Sequence, residues 1–198
     1  MIPRQWIIAT VILLALATAM AIYVWQLQRK EAATPVPAAA EPHVSPPAPG
    51  PTEAVTVWVA NDSSGTLRAQ TISVPVSARR QQRAEELMRG LLGIYTTENS
   101  PHPLPAGAEV RNVYLVDPGI AVIDLNSAFV VGQTSGVLAE ELTVASLIET
   151  LSSNIPGITR VKILVDGKER ETLSGHADLS GFYDVSQVSE LAKQLTSE

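Results

Sequence analysis

Val110–Leu125, VRNVYLVDPGIAVIDL, is the stretch that decides the fold. Val110 to Val116 and Ile120 to Leu125 are rich in β-branched residues, and Asp117-Pro118-Gly119 stands between them. Proline presets the first central position of a tight turn, and glycine accepts a positive φ at the next. The stretch therefore predicts a β-hairpin. A hairpin buries little by itself, so the flanking segments must supply what covers it.

Upstream, Ala84, Leu87, Met88, Leu91 and Leu92 recur at helical spacing, with Ser77 as a plausible cap. Arg79, Arg80, Arg83, Glu85, Glu86 and Arg89 cover the rest of that helix and read as a solvated face rather than a docking patch. Gly90 and Gly93 should loosen its end, and the prolines at 101, 103 and 105 exclude regular structure over 96–107. His102, between two of them, reads as exposed. Further upstream, Val55, Val57 and Val59 alternate with Thr56 and Trp58, the period of a half-buried strand. Asn61 to Gly65 is a turn cluster, and Ile72, Val74 and Val76 mark a second strand. Pro75 donates no backbone hydrogen bond, which puts that strand at a sheet edge.

Downstream of the hairpin, Leu138, Leu142, Ala145, Ile148 and Leu151 give the buried stripe of a helix over 137–153. Val161, Ile163 and Val165 form another strand, and Glu169 to Leu173 could pair weakly back across it. Ser186 to Leu195 reads as a short amphipathic helix. The order β-β-α-β-β-α-β-β plus a tail helix predicts an α+β fold in two layers: one mostly antiparallel sheet with two helices on one face.

The N-terminal third has a different composition. Ile7 to Trp25 is an unbroken apolar run of 19 residues. As a helix it spans about 28 Å, close to the roughly 30 Å of a bilayer's hydrocarbon core. Trp6, Tyr23 and Trp25 sit at its ends, where amphipathic rings favour the headgroups. The alternative is a cleaved signal with Ile7 to Leu16 as its apolar centre and Ala17-Thr18-Ala19 as its cleavage site, but the run continues six residues past Ala19. Either way the remainder is exported. The expectation is a single-pass anchor in the bacterial inner membrane through residues 7–25, with the C-terminal domain extracytoplasmic, on the periplasmic or cell-wall side. Residues 32–52 hold seven of the fourteen prolines, a composition that stays solvated and extended and reaches roughly 65 Å as polyproline II. His43 there is only solvated. The expected organisation is an anchor with its flanks over 1–31, a Pro/Ala-rich linker over 32–53, the α+β domain over 54–185, and a short helix and tail over 186–198.

Residues 1–53 carry three basic and three acidic side chains, so the net charge of −6 belongs to the body. An acidic body disfavours nucleic acid as a partner. The absence of cysteine removes disulfides, thiolate zinc ligands, thiol catalysis and lipid attachment at a cysteine. Three scattered histidines give no metal-ligand cluster, and no cofactor motif is present.

Several segments resemble the GerMN domain family, the sporulation and spore germination module, over roughly Val55 to Phe182. Leu104-Pro105-Ala106-Gly107-Ala108 is similar to the family's Ile-Pro-x-Gly-Thr. Gly119 to Phe129, GIAVIDLNSAF, is similar to its Gly-x-Ala-x-Val-Asp-Leu-Ser-x-x-Phe. Thr150-Leu151, Arg160 to Lys168 and Glu171 to Leu179 complete the pattern in order. Two positions depart from it: Leu91 follows Gly90 where the family often has Pro, and Asn126 stands where Ser is usual. The resemblance implies an α+β module outside the inner membrane, linked to sporulation, germination or envelope assembly, with no established catalysis.

Four side chains stand out as structural or contact positions. Trp58 is out of phase with its valine neighbours, so a second helix layer covers it, the loop 96–107 covers it, or it is exposed for recognition. Asp124 is a carboxylate in an apolar strand, read as capping the turn at Asn126-Ser127 rather than as an acid–base group. His176 and Asp178, with Ser174 nearby, hold the residue types of a nucleophilic triad, but such triads are defined by geometry, not closeness in sequence. Gly132 to Gly136 reads as a flexible loop, and Glu140 and Glu141 as acids matched to a helix dipole. The expected function is non-enzymatic binding of an envelope protein or peptidoglycan, with self-association as a variant. The alternatives are a cell-wall hydrolase or its regulator, and a small-molecule sensor.

Overall fold

The computed structural model describes residues 50–196 together with Met20. Apart from Met20, the expected anchor and most of the linker thus lie outside the described residues, and no helix among those described is long and apolar enough to cross a membrane. The elements run β1 (Thr52–Asn61), β2 (Thr66–Pro75), α1 (Arg80–Tyr95), β3 (Val110–Val116), β4 (Ile120–Leu125), α2 (Ser127–Val131), α3 (Val137–Asn154), β5 (Arg160–Val165), β6 (Tyr183–Asp184) and α4 (Val185–Thr196). The class is α+β, as the patterning requires.

The single expected sheet is two. One is an antiparallel ribbon of β1 and β2; the other has four strands in the order β3-β4-β5-β6. The hairpin forms, with a cis Asp117–Pro118 bond and Gly119 at φ +72°. Strands β4 and β5 run parallel, from Ile120 opposite Arg160 to Leu125 opposite Val165. A helix between two strands permits that direction as readily as the antiparallel one, and strand periodicity does not choose. The partner of β5 on its other side is β6, through Val161 and Tyr183, rather than the expected segment 169–173, whose one isolated bridge joins Thr172 to Asp178.

Gly119 locks the hairpin to the start of β5. Its carbonyl accepts from the N–H groups of Thr159 (2.7 Å) and Arg160 (3.1 Å), and a Cβ here would stand 2.7 Å from the Gly157 carbonyl oxygen. Only glycine combines this φ with that approach.

One face of the four-stranded sheet is core: Val113, Ala121, Ile123, Leu125, Val161 and Ile163 are fully buried, with Val165 nearly so. The same core takes in Leu87, Met88 and Leu91 of α1 and Leu142, Ile148 and Leu151 of α3. The opposite face carries Tyr114, Val116, Ile120, Val122 and Leu164, all at least partly exposed. Helix α1 starts without a side-chain cap from Arg79 or Ser77, and Gly90 lies inside it. There a Cβ would stand 2.7 Å from Ile72 Cδ1, so this glycine lets α1 approach β2 closely instead of loosening the helix.

Candidate functional site

Helix α3 is buried on two sides, and its polar residues organise the surrounding chain. Glu140, one turn into the helix, is fully buried. Its Oε2 accepts from the backbone N–H groups of Ser174, His176 and Ala177, each at 2.9 Å, and its Oε1 lies 3.0 Å from His176 Nδ1. Burial pushes the carboxyl up, but the His176 ring and the Ala177, Ser174 and His176 N–H groups more than reverse this and hold it at about 2. An irregular loop thus finds its missing hydrogen-bond partner in one carboxylate. The dipole reading of Glu140 is insufficient: the residue anchors the 174–177 loop.

That loop forms one wall of a cleft of about 300 Å³, lined by Glu141, Val144, His176, Asp178, Tyr183 and Leu191 among others. His176 and Asp178 therefore do meet at a concavity, each hydrogen-bonded to a different partner. Asp178 Oδ1 accepts from the Ser180 N–H (2.8 Å) and hydroxyl (2.6 Å), which hold its carboxyl below the usual range. The Tyr183 hydroxyl donates to the Asp178 carbonyl at 2.6 Å. Burial, reinforced by the negative charges of Asp178, Glu140 and Glu141, pushes Tyr183 up to about 12. Ser174 contributes its N–H to Glu140 and its carbonyl to the Ser135 hydroxyl (3.0 Å).

Asp124 is structural, with a different partner from the one expected. Its Oδ1 accepts from Gly167 N–H at 2.7 Å, at the turn after β5, and Arg111 Nε stands 3.9 Å from its Oδ2. The turn at Asn126-Ser127 is capped instead by Asn126. Its Oδ1 accepts from Phe129 N–H (3.0 Å) and Glu109 N–H (3.1 Å), and its Nδ2 donates to the Gly107 carbonyl (2.7 Å). Asn126 supplies an amide donor that a serine hydroxyl at this position could not place at the same reach.

Trp58 is half-buried, packed on the core beside a cavity of about 350 Å³ lined by Glu149 of α3 and Ser189, Ala192, Lys193 and Thr196 of α4. A helix layer borders it, and no residue of the loop 96–107 lines this cavity. Its Nε1 is buried and without a hydrogen-bond partner.

His102 is buried, only 2 % exposed, which corrects its reading as an exposed loop residue. Its Nδ1 lies 2.6 Å from Asp62 Oδ1 and its Nε2 2.8 Å from Thr143 Oγ1, while Gln133 Nε2 also donates to Thr143. An Asp–His–Thr order is that of a hydrolase triad, yet the Thr143 hydroxyl is fully buried and already donates to the Ala139 carbonyl at 2.8 Å. The chain of bonds clamps the β1–β2 turn and the 96–107 loop onto α3. Prolines on both sides of His102 concealed this, since they signal irregular backbone and not exposure.

The whole arrangement matches a known domain. The Germane family model, described as sporulation and spore germination, matches residues 56–171. The chain belongs to that family. No curated protein matches it in sequence. Among solved structures it is similar to the tandem GerMN domains of the sporulation protein GerM from Bacillus subtilis, with 23% identity and a TM-score of 0.52, over 69% of this chain and 48% of that one. It is also similar to the first GerMN domain of that GerM alone, at 23% identity and a TM-score of 0.46, over 65% of this chain and 93% of that one. The chain thus spans about half the length of the tandem structure. At this identity the likeness concerns the GerMN fold. Within this GerMN domain, four conspicuous polar residues, Asp124, Asn126, Glu140 and His102, close turns and loops.

Proposed function

We propose that this GerMN domain is a non-enzymatic binding or scaffold module of the cell envelope, held outside the inner membrane by the apolar run 7–25 and the Pro/Ala-rich linker. The sporulation and germination family it belongs to supports that setting. The observation that carries the binding role is the open face of the four-stranded sheet. Tyr114, Val116 and Phe182 are 43%, 49% and 51% exposed there. Arg160 lies over the Phe182 ring at 5.2 Å and Lys162 at 5.9 Å. Aromatic side chains flanked by cations are the usual composition of a protein-binding hot spot. The partner is an envelope protein. Cross-linking in intact cells, followed by identification of the captured proteins, tests this. Capture of one envelope assembly by the native chain, lost when Tyr114→Ala and Phe182→Ala are combined, is the expected result. Unchanged capture by the variant would refute the sheet-face reading.

A second reading, a small-molecule sensor, draws on the His176 cleft, which is concave and has Val144, Val188 and Leu191 in its lining. Thermal shift of the purified chain against muropeptides is its test. A rise in melting temperature that His176→Ala abolishes favours it, and no shift with any muropeptide eliminates it.

A further inference from the structure

Strand β2 closes the ribbon with a backbone edge that no other described strand pairs with. Val76 N–H donates to the Pro51 carbonyl at 2.9 Å, which sets the parity of the ladder. With Thr52 opposite Pro75 and Asn61 opposite Thr66, residues 53, 55, 57 and 59 exchange hydrogen bonds with 74, 72, 70 and 68. The N–H and C=O groups of Ala69, Thr71 and Ser73 therefore point away from β1. Arg68, Ala69, Gln70, Thr71 and Ser73 are all exposed, while α1 lies against the same strand at Ile72 and Val74. The register runs unbroken from Thr52 to Asn61, with no bulge to turn the edge aside, and proline appears only at its far end. Such an edge is a template for strand addition.

We propose that β2 pairs antiparallel with β2 of a second copy of this chain, about a two-fold axis at Thr71, joining two ribbons into one four-stranded sheet. This involves a different surface from the sheet face described above and does not rest on it. The sequence of the strand is self-complementary in this register. Thr71 meets Thr71 and Ala69 meets Ser73 on one face, while Gln70 meets Ile72 and Arg68 meets Val74 on the other. No like charges oppose each other. Arg68 of one copy lies in the same cross-strand row as Glu53 of the other, since Glu53 is the ladder partner of Val74. Small and hydroxyl side chains at directly opposed positions favour close strand pairing. The chain's own linker cannot supply the added strand, because every five-residue window between Pro35 and Pro51 contains a proline.

The test uses the full-length chain in detergent. It contains no cysteine, so Thr71→Cys introduces the only thiol. On a two-fold axis the opposed α-carbons stand about 5.5 Å apart, within disulfide range. The expected result is a disulfide-linked dimer formed at least ten-fold faster than by Gln81→Cys, an exposed control on α1. Thr71→Pro removes the outward N–H without breaking the β1 ladder, so sedimentation should give a dimer for the native chain and a folded monomer for this variant. Three results would each overturn the proposal: a native chain monomeric at high concentration, equal oxidation of the two cysteine variants, or a Thr71→Cys disulfide to a different protein in intact cells.

Discussion

The two edges of the β1–β2 ribbon are managed in opposite ways. Along β1, every outward backbone group from Thr56 to Ala60 that has a bond finds it on a side chain. Thr56 C=O accepts from Asn154 Nδ2 (2.7 Å), Trp58 N–H donates to Thr150 Oγ1 (2.8 Å), and Trp58 C=O accepts from Ser146 Oγ (2.6 Å). Ala60 N–H donates to the Tyr95 hydroxyl (2.8 Å), which in turn bonds Ser146 (2.5 Å). Residues 146, 150 and 154 are successive turns of one face of α3. Burial pushes the Tyr95 hydroxyl up to about 12, opposed by its bonds to Ala60 and Ser146 and aided by the negative charge of Asp62. Along β2 the outward groups of Ala69, Thr71 and Ser73 have no hydrogen-bond partner among the described residues. A helix with a polar stripe can thus stand in for a missing strand where the edge is buried, and no such substitute is built where it is not. Buried backbone groups must be paired, whereas exposed ones have water.

The strongest way to break this contrast lies on α3, where Glu140 performs for the loop 174–177 what Ser146 and Thr150 perform for β1. Glu140→Leu leaves the buried Ala177 N–H and the part-buried Ser174 and His176 N–H groups unpaired and should cost about 3–5 kcal/mol in urea unfolding at pH 7. The native chain should show the same dependence on acid. The carboxyl has its ordinary 4.5 when unfolded and about 2 when folded, so the unfolded state binds more protons between these values. The contribution is complete above pH 4.5 and is lost as pH falls toward 2; its size is about 3 kcal/mol. Unfolding curves across that range should lose this slope in Glu140→Leu. Next, Ser146→Ala combined with Thr150→Val strips the β1 edge of two of its four side-chain partners and should destabilise by about 2–4 kcal/mol, read as a shift in denaturant midpoint. At the open edge, Thr71→Val should change stability by less than about 0.5 kcal/mol in dilute protein. Equal costs at the two edges would dissolve the comparison.

What could be read in the sequence follows the same division. The hairpin at Asp117-Pro118-Gly119 and the helix beginning at Val137 were legible because apolar periodicity and turn chemistry are local. The position of β2 at an edge was legible from Pro75 alone. The parallel pairing of β4 with β5 was not, because alternation marks a strand without naming its partner. Nor was the polar stripe of α3: Thr143, Ser146 and Thr150 are fully buried, yet serine and threonine on a helix read as solvated. Asp124 was legible as structural but not as the partner of Gly167, a residue 43 positions away. Glu140 carried one weak signal, as the first of two adjacent acids in a largely apolar helix start, and the chain it binds lies more than thirty residues on.

Amide hydrogen exchange, residue by residue, tests the central claim most directly. In dilute protein the Trp58 and Ala60 amides should exchange as slowly as those of core strands, while those of Ala69, Thr71 and Ser73 exchange freely and gain protection only as concentration rises. Fast exchange at Trp58 and Ala60, or equal protection of both sets in the dilute chain, would contradict the account.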